Sequence, residues 1–178
     1  MKSRFVMTVF LMLLSIAALS TPARAQLPNG YGQGISVEVA RKLAATAIAE
    51  GKKNGWTVAV AIVDTAGDLV FFERMDNTQA ASTIVSQEKA RTAARFKRPT
   101  KAFEDALGGG RQAILGLPGV TPLEGGLPLV IEGKIVGAIG VSGATSPQDG
   151  VCAQAAADTL GKQPAPKPPA TPAPPVKK

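Results

Sequence analysis

Residues 56–63 read WTVAVAIV, and they are followed by the turn DTAGD (64–68) and the run LVFFERM (69–75). Positions 58–63 place valine and isoleucine on one face of an extended chain and mainly alanine on the other. A strand that is apolar on both faces is typical of the centre of a sheet with layers packed on each side. Gly67 can adopt the positive φ that the turn requires, so the segment is predicted to form a β-hairpin.

A second hairpin is predicted from residues 127–131 and 135–142, which flank the turn at 132–134. Its second strand carries alanine, glycine and serine at positions 138, 140 and 142, so one of its faces is small. A face without large side chains allows a helix or a ligand to approach the backbone closely. We therefore expect a close neighbour on this side of the strand.

Helices are predicted before, between and after the two hairpins. An apolar stripe at a spacing of four residues, Val39, Leu43 and Ala47, indicates a first helix that Ser36 caps and Gly55 ends. Further helices are expected over three later segments, 82–96, 101–107 and 146–160. The order helix, hairpin, helices, hairpin, helix predicts an α+β fold in which an antiparallel sheet carries helices on its faces, in three layers.

Two of the later helices have recognisable start signals. Thr100 follows Pro99 and is expected to cap the short helix after it. In the last helix, Ser146 is the expected N-cap and Pro147 the first helical residue. Asp149 is expected to reach back to the start of that helix as in a capping box.

Residues 1–25 have the three parts of a secretory signal peptide. Lys2 and Arg4 supply a positive start, residues 5–19 are almost entirely apolar, and alanines stand at positions 23 and 25. The apolar run holds about 15 residues, whereas a helix that spans a membrane needs about 20. We therefore predict cleavage before Gln26, a periplasmic or secreted protein, and no membrane association after cleavage.

The rest of the chain is expected to divide into three parts. Residues 26–34 are rich in glycine and are predicted to be a flexible lead-in, and residues 35–162 are predicted to form one domain. Residues 163–178 contain seven prolines and are predicted to be a disordered, extended tail. A spacer or a docking ligand is the alternative interpretation of this tail.

The net charge of the full chain is +7, but three of the basic residues lie in the predicted signal peptide. From Gln26 onward the net charge is therefore +4, and three of the remaining lysines lie in the tail. The basic residues are not gathered along one face with aromatic residues between them, as in a nucleic-acid site. Nucleic acid is therefore not an expected partner.

The composition limits the chemistry that the chain can perform. The sequence has no histidine and one cysteine, which excludes Ser-His-Asp and Cys-His mechanisms and a zinc site of the ordinary type. Cys152 lies among alanines and is expected to be buried and unreactive. Acid–base work would fall to a lysine or to Asp64, Asp76 or Glu124, and the sequence shows no pairing among these carboxylates.

Six blocks of sequence carry a resemblance to a known family. They are AVAIVDTAGDL (59–69), RMD (74–76), KARTA (89–93), RPT (98–100), GGLPLV (125–130) and GKIVGAIGVSG (133–143). Together they resemble the GlcG/HbpS-like haem-binding family, which is related to the C-terminal domain of PduO-type corrinoid adenosyltransferases. The resemblance implies a profilin-like, three-layer α/β/α fold with a five-stranded antiparallel sheet. It also implies homo-oligomers and the binding of haem, a related tetrapyrrole or another small molecule.

The resemblance also suggests residues that would hold a haem. In a family member the threonine of the Pro-Thr segment has been linked to haem coordination, and Thr100 matches that position; the helix cap is its alternative role. With no histidine, the remaining side chains of the types that bind haem iron are Met75, Tyr31 and Cys152, and Met75 is equally suited to strand packing. The candidate cations for the haem propionates are Arg74, Lys89, Arg95 and Arg98, although each is equally compatible with a solvated role.

The sequence therefore predicts an exported haem-binding or haem-sensing protein without catalytic activity. Two other interpretations stay open. One is an enzyme or accessory protein that acts on a small organic acid or cofactor. The other is an interaction module that contacts its partners through the proline-rich tail.

Overall fold

The computed structural model describes residues 29–160, so the predicted signal peptide and proline-rich tail lie outside the described residues. Within them the chain forms four α-helices, one 3-10 helix and four strands. These are α1 (Val37–Lys53), β1 (Ala59–Val63), β2 (Leu69–Arg74), α2 (Ser82–Phe96), α3 (Lys101–Gly108), the 3-10 helix (Gln112–Gly116), β3 (Gly126–Ile131), β4 (Lys134–Ser142) and α4 (Ser146–Leu160). None of these helices is long and apolar enough to cross a membrane.

The four strands form one antiparallel sheet in the order β2-β1-β4-β3. Both predicted hairpins are confirmed, and they are joined through the pairing of β1 with β4. The tight turn between β3 and β4 has positive φ at Glu132 (49°) and Gly133 (72°), the combination typical of a two-residue hairpin loop. The sheet therefore has β2 and β3 at its edges.

Helices cover both faces of the sheet, as the double-sided apolar pattern predicted. Val60 and Ile62 of β1 belong to a core cluster with α1 and α4. Ala61 and Val63 point the other way and join a smaller cluster with Ala90 of α2. The mixed α+β class and the two covered faces are confirmed.

The small face of β4 allows α2 to pack directly on the strand backbone. A Cβ atom on Gly140 would overlap the carbonyl oxygen of Ser86 and lie 2.5 Å from the nitrogen of Ala90. The close neighbour expected at this position is therefore helix α2.

The five-stranded sheet implied by the resemblance is wrong for the described residues, which contain four strands. The segment before β3 holds Pro118 and Pro122, which lack the N–H group that a ladder requires. Between them, the N–H of Thr121 donates to Thr92 Oγ1 on α2 at 2.9 Å. This segment therefore lies along a helix and does not extend the sheet.

Two of the predicted caps differ from the structure. Thr100 has helical backbone angles and makes no capping hydrogen bond to α3. In α4 the start lies one residue earlier than predicted, because the N–H of Thr145 donates to Gln148 Oε1 at 3.1 Å in a capping-box arrangement. Asp149 accepts a hydrogen bond from the N–H of Ala144 at 3.0 Å and turns into the protein. The predicted cap of α1 by Ser36 is confirmed.

Residues 29–34 belong to the segment that was predicted to be a flexible lead-in, and they lie along β4. The N–H of Gly32 donates to Ile135 O at 2.8 Å, and the N–H of Ile135 donates to Gly30 O at 2.9 Å. The Tyr31 hydroxyl donates to Ala94 O at 2.9 Å, so this segment also contacts the end of α2.

Candidate functional site

A two-lobed cleft, here called the β3 cleft, lies between the edge strand β3, helix α4 and the start of α3. Its lobes have volumes of about 360 and 320 Å³ and share Pro99, Leu127 and Gln154 in their walls. Sites for small organic ligands are commonly concave and have volumes of about 300–1,000 Å³. The β3 cleft is therefore the candidate site among the described residues.

The walls of the cleft are mainly apolar, with charged groups near the rim. Val151 belongs to the first lobe, Pro128 and Val130 to the second, and Leu127 to both. Val130 and Val151 are exposed, so no layer among the described residues covers these parts of the walls. The cleft is consequently suited to a ligand with a broad apolar surface.

The outer edge of β3 is shaped by Thr100. Its Oγ1 accepts a hydrogen bond from the N–H of Gly126 at 2.9 Å, and its own N–H donates to Gly126 O at 3.0 Å. Pro128, two residues further along the same edge, has no N–H group. The segment that begins α3 therefore occupies the place of a neighbouring strand and forms one wall of the cleft.

Glycines 125 and 126 form the floor of the first lobe because buried side chains press against them from inside. A Cβ atom on Gly125 would lie 3.0 Å from Lys89 Nζ and 2.9 Å from Asp149 Cβ. A Cβ atom on Gly126 would lie 2.6 Å from Thr100 Cγ2 and would overlap Lys89 O. The floor thus has no room for side chains on its inner side.

Behind this floor lies a buried ion pair. Lys89 Nζ donates to Asp149 Oδ2 at 2.8 Å and to Val141 O at 3.0 Å. Val141 in turn donates its N–H to Gly125 O at 2.9 Å. Burial raises the pKa of Asp149 above its ordinary value, while the Lys89 charge opposes this shift. The pair ties α2, β4 and α4 to the floor of the cleft.

Three of the six residues predicted to hold a haem lie at or behind the cleft. Thr100 and Lys89 are buried behind it, with their polar atoms bonded within the protein. Arg98 directly precedes the wall residue Pro99, and its guanidinium lies 5.5 Å from the centroid of the Phe103 ring. The sequence blocks that contain these residues therefore meet at one place.

The other three predicted residues lie elsewhere. Arg74 and Met75 are at the end of β2, on the edge of the sheet opposite β3, and the Met75 sulfur accepts a hydrogen bond from the N–H of Val58 at 3.4 Å. Arg95 Nε donates to Ala66 O at 2.9 Å, in the turn between β1 and β2. These contacts place Met75 in strand packing and Arg95 in turn bracing, while Arg74 is exposed at the end of β2.

Sequence reasoning missed two lysines that line the cleft, Lys101 in the first lobe and Lys97 in the second. Lys97 has a left-handed backbone (φ 56°) at the end of α2, and its Nζ lies 4.1 Å from the centroid of the Tyr31 ring. Lys101 Nζ lies 2.6 Å from Asp105 Oδ1, and this hydrogen bond raises the pKa of Lys101. Both lysines directly flank the RPT block (98–100), and this position in the sequence was the signal that could have identified them.

The described residues also include a carboxylate at the rim. Glu124 lines the first lobe, its N–H donates to the Glu104 carboxylate, and its side chain lies against Gly150 of α4. Among residues 29–160 there is no group of three or more His, Cys, Asp and Glu side chains that could hold a metal ion.

Comparison with known proteins defines the class. The family described as "Haem degrading protein HbpS-like" matches residues 35–158, so the chain belongs to this family. Among curated relatives, it is 44% identical to Protein GlcG of Escherichia coli strain K12 over 108 residues, which is 61% of this chain and 81% of that protein. The resemblance identified from the sequence blocks is thereby confirmed.

Solved structures show the same fold. The crystal structure of HbpS has a TM-score of 0.68 and 32% identity, over 73% of this chain and 92% of that one. The crystal structure of a PduOC:heme complex has a TM-score of 0.65 and 26% identity, over 71% of this chain and 95% of that one. The chain therefore shares its fold with a protein whose structure was determined as a haem complex.

Proposed function

We propose that this chain is an exported protein that binds haem or a related tetrapyrrole in the β3 cleft and performs no catalysis. The observation that carries the proposal is the geometry of the cleft, which combines apolar walls with Lys97 and Lys101. Membership of the HbpS-like family and the fold shared with a haem complex support the choice of ligand.

The cleft residues fit the organic part of a haem. Leu127, Val130 and Val151 offer apolar contact to a flat ring, and the lysine ammonium groups offer charge to the two propionates. Bound haem would supply redox or ligand-binding chemistry at its iron. This chain's residues would supply burial of the ring, orientation through the carboxylates and partial exclusion of water.

Titration with hemin tests the proposal directly. The chain from Gln26 to Lys178 is purified and hemin is added while the Soret absorption band is recorded. We expect a saturable shift of this band and a higher melting temperature, because a ligand that binds the folded state stabilises it. Absence of both changes would overturn haem binding.

A cleft-filling variant locates the site. Val151 is 47% exposed and lines the first lobe, so V151W fills the lobe without entering the core. We expect V151W to weaken hemin binding at least tenfold. The matched control is I84W. Ile84 is an exposed aliphatic residue near the start of α2, whereas the wall residue Pro99 follows the end of that helix. Equal affinities in the two variants would place the site elsewhere.

The absence of catalysis is tested in the same cuvette. The family description mentions haem degradation, so the Soret band of the complex is followed over time with a reductant and oxygen. A stable band supports binding without turnover. A band that decays faster with the protein than with V151W would contradict the non-catalytic proposal.

Export and self-assembly are separate parts of the proposal. N-terminal sequencing of protein from the periplasmic or secreted fraction should begin at Gln26, as the predicted signal peptide requires.

Assembly into homo-oligomers is supported by apolar side chains exposed between α3 and β3, namely Leu115, Leu117 and Leu123. Light scattering after size exclusion should give a mass that is a multiple of the chain's mass; a monomer would refute self-assembly.

A further inference from the structure

The chain has few side chains of the types that usually hold haem iron. It has no histidine, one tyrosine and one cysteine, and three of its four methionines precede residue 26. Tyr31, Met75 and Cys152 therefore remain once the predicted signal peptide has been removed. All three lie within the described residues.

In each of the three, the atom that could bind iron is hydrogen-bonded or buried within the protein. The Tyr31 hydroxyl donates to Ala94 O at 2.9 Å. The Met75 sulfur accepts from the backbone of β1 at the opposite edge of the sheet. Cys152 is fully buried and faces α1, where a Cβ atom on Gly51 would lie 3.8 Å from its Sγ.

The residues that do line the cleft recognise a different part of such a ligand. Lys97 and Lys101 lie on the two sides of Pro99, one in each lobe. The apolar walls between the lobes are continuous through Leu127. A flat apolar ring with two carboxylates matches this arrangement. Lys101 already pairs with Asp105 at 2.6 Å, but both side chains are more than half exposed, so a ligand carboxylate can compete for the Lys101 ammonium group.

We propose that the β3 cleft recognises tetrapyrroles through their carboxylates and apolar ring and does not require the central metal. Lys97 and Lys101 are the carboxylate-binding residues. This inference rests on the proposed haem-binding function and adds to it that metal-free and metal-loaded porphyrins are ligands of the same class.

Three ligands that differ in one feature each test the proposal. Hemin, metal-free protoporphyrin IX and hemin dimethyl ester are titrated into the chain from Gln26 to Lys178, and quenching of Trp56, its only tryptophan, is recorded. We expect the dissociation constants of hemin and protoporphyrin IX to agree within about fivefold. The ester should bind at least tenfold more weakly, because hydrogen bonds to charged groups are lost.

The lysines are tested by K97M and K101M, with K42M as the control. Lys42 is an exposed lysine on α1 that pairs with Glu38 at 3.2 Å. Each cleft variant should weaken the binding of hemin and of protoporphyrin IX alike by about threefold to tenfold and leave the binding of the ester unchanged. K42M should not weaken the binding of hemin or protoporphyrin IX.

The possible failures are distinguishable. If hemin binds at least a hundredfold more tightly than protoporphyrin IX, an iron ligand dominates and the inference is overturned while haem binding stands. If the ester binds as tightly as hemin, the role of the lysines is overturned. If none of the three porphyrins binds, the proposed function itself fails.

Discussion

Lys89 Nζ lies 2.8 Å from Asp149 Oδ2, and the side chains of the two residues are 2% and 3% exposed. The pair joins the middle of α2 to the first turn of α4, directly behind the glycine floor of the β3 cleft. Removal of water from two charges is costly, so neither partner tolerates the loss of the other. This pair is therefore a structural link whose effect reaches the candidate site.

The first prediction concerns this link. K89M leaves the buried Asp149 without its cation and should lower the free energy of unfolding by about 3–5 kcal/mol. The double variant K89M/D149N removes both charges and should be more stable than K89M alone. Urea unfolding of the single and double variants measures this, and additive losses would show that the two residues act independently.

The second prediction concerns Cys152. Burial raises the pKa of its thiol to about 11 from an ordinary value of 9.0, with smaller contributions from Asp149 and Glu50. At pH 8 its reaction with a thiol reagent should be on the order of a hundredfold slower than that of a free cysteine, because the thiolate reacts. Reaction at the free-cysteine rate in the folded protein would contradict this placement.

The same shift predicts how stability changes with pH. A pKa raised by folding means that the folded thiol keeps its proton where the unfolded thiol has lost it. Its contribution to stability is therefore complete below pH 9 and is lost as the pH rises toward 11. Compared with wild type, C152A should show a smaller decline in unfolding free energy between pH 8.5 and pH 11; parallel curves would refute the assignment.

The third prediction concerns the contact between β4 and α2. G140A introduces a methyl group that overlaps Ser86 O and should cost about 3 kcal/mol or more, because a helix backbone cannot yield locally. G108A is the control, since a Cβ atom there has nothing within 4 Å at the end of α3. We expect G108A to match or exceed wild-type stability in thermal unfolding, by up to about 1 kcal/mol. Equal melting temperatures for the two variants would contradict the close packing.

The fourth prediction concerns Thr100. T100V leaves the buried N–H of Gly126 without its acceptor and should cost about 1–3 kcal/mol, whereas T100S keeps the hydroxyl and most of the stability. Because the oxygen is already bonded to Gly126, the absorption maximum of bound hemin should be the same in T100V as in wild type. A shifted maximum with unchanged stability would instead indicate that Thr100 coordinates the iron.

Much of the fold was predictable because it depends on local patterns. The two apolar faces of 58–63 required covering layers, and the alanine and glycine positions of β4 required a close helix. The number of strands was not local information. It depends on whether the N–H of Thr121 forms its hydrogen bond with a strand or with a helix side chain. In the fold, Thr92 of α2 accepts this hydrogen bond.

The candidate site was less predictable, for a physical reason that Lys89 and Lys101 illustrate. Both are lysines in helices, and nothing in their immediate neighbours separates a buried cation from a solvated one. The difference comes from Asp149, which is 60 residues away from Lys89 in sequence and accepts a hydrogen bond from its ammonium group inside the fold. Thr100 is similar, because its hydrogen-bond partner Gly126 is 26 residues away. From the neighbouring residues alone, a helix cap was the simpler expectation for Thr100.

The outer edge of β3 is closed at Gly126 and Pro128, and this has a consequence for solubility. An edge strand with free N–H and C=O groups is a template on which another chain can add a strand and begin to aggregate. At this edge Thr100 occupies both outward groups of Gly126, and Pro128 has no N–H to offer. The contact that forms a wall of the cleft therefore also protects the sheet, and variants that loosen Thr100 should aggregate more readily on mild heating than variants that alter the cleft lysines.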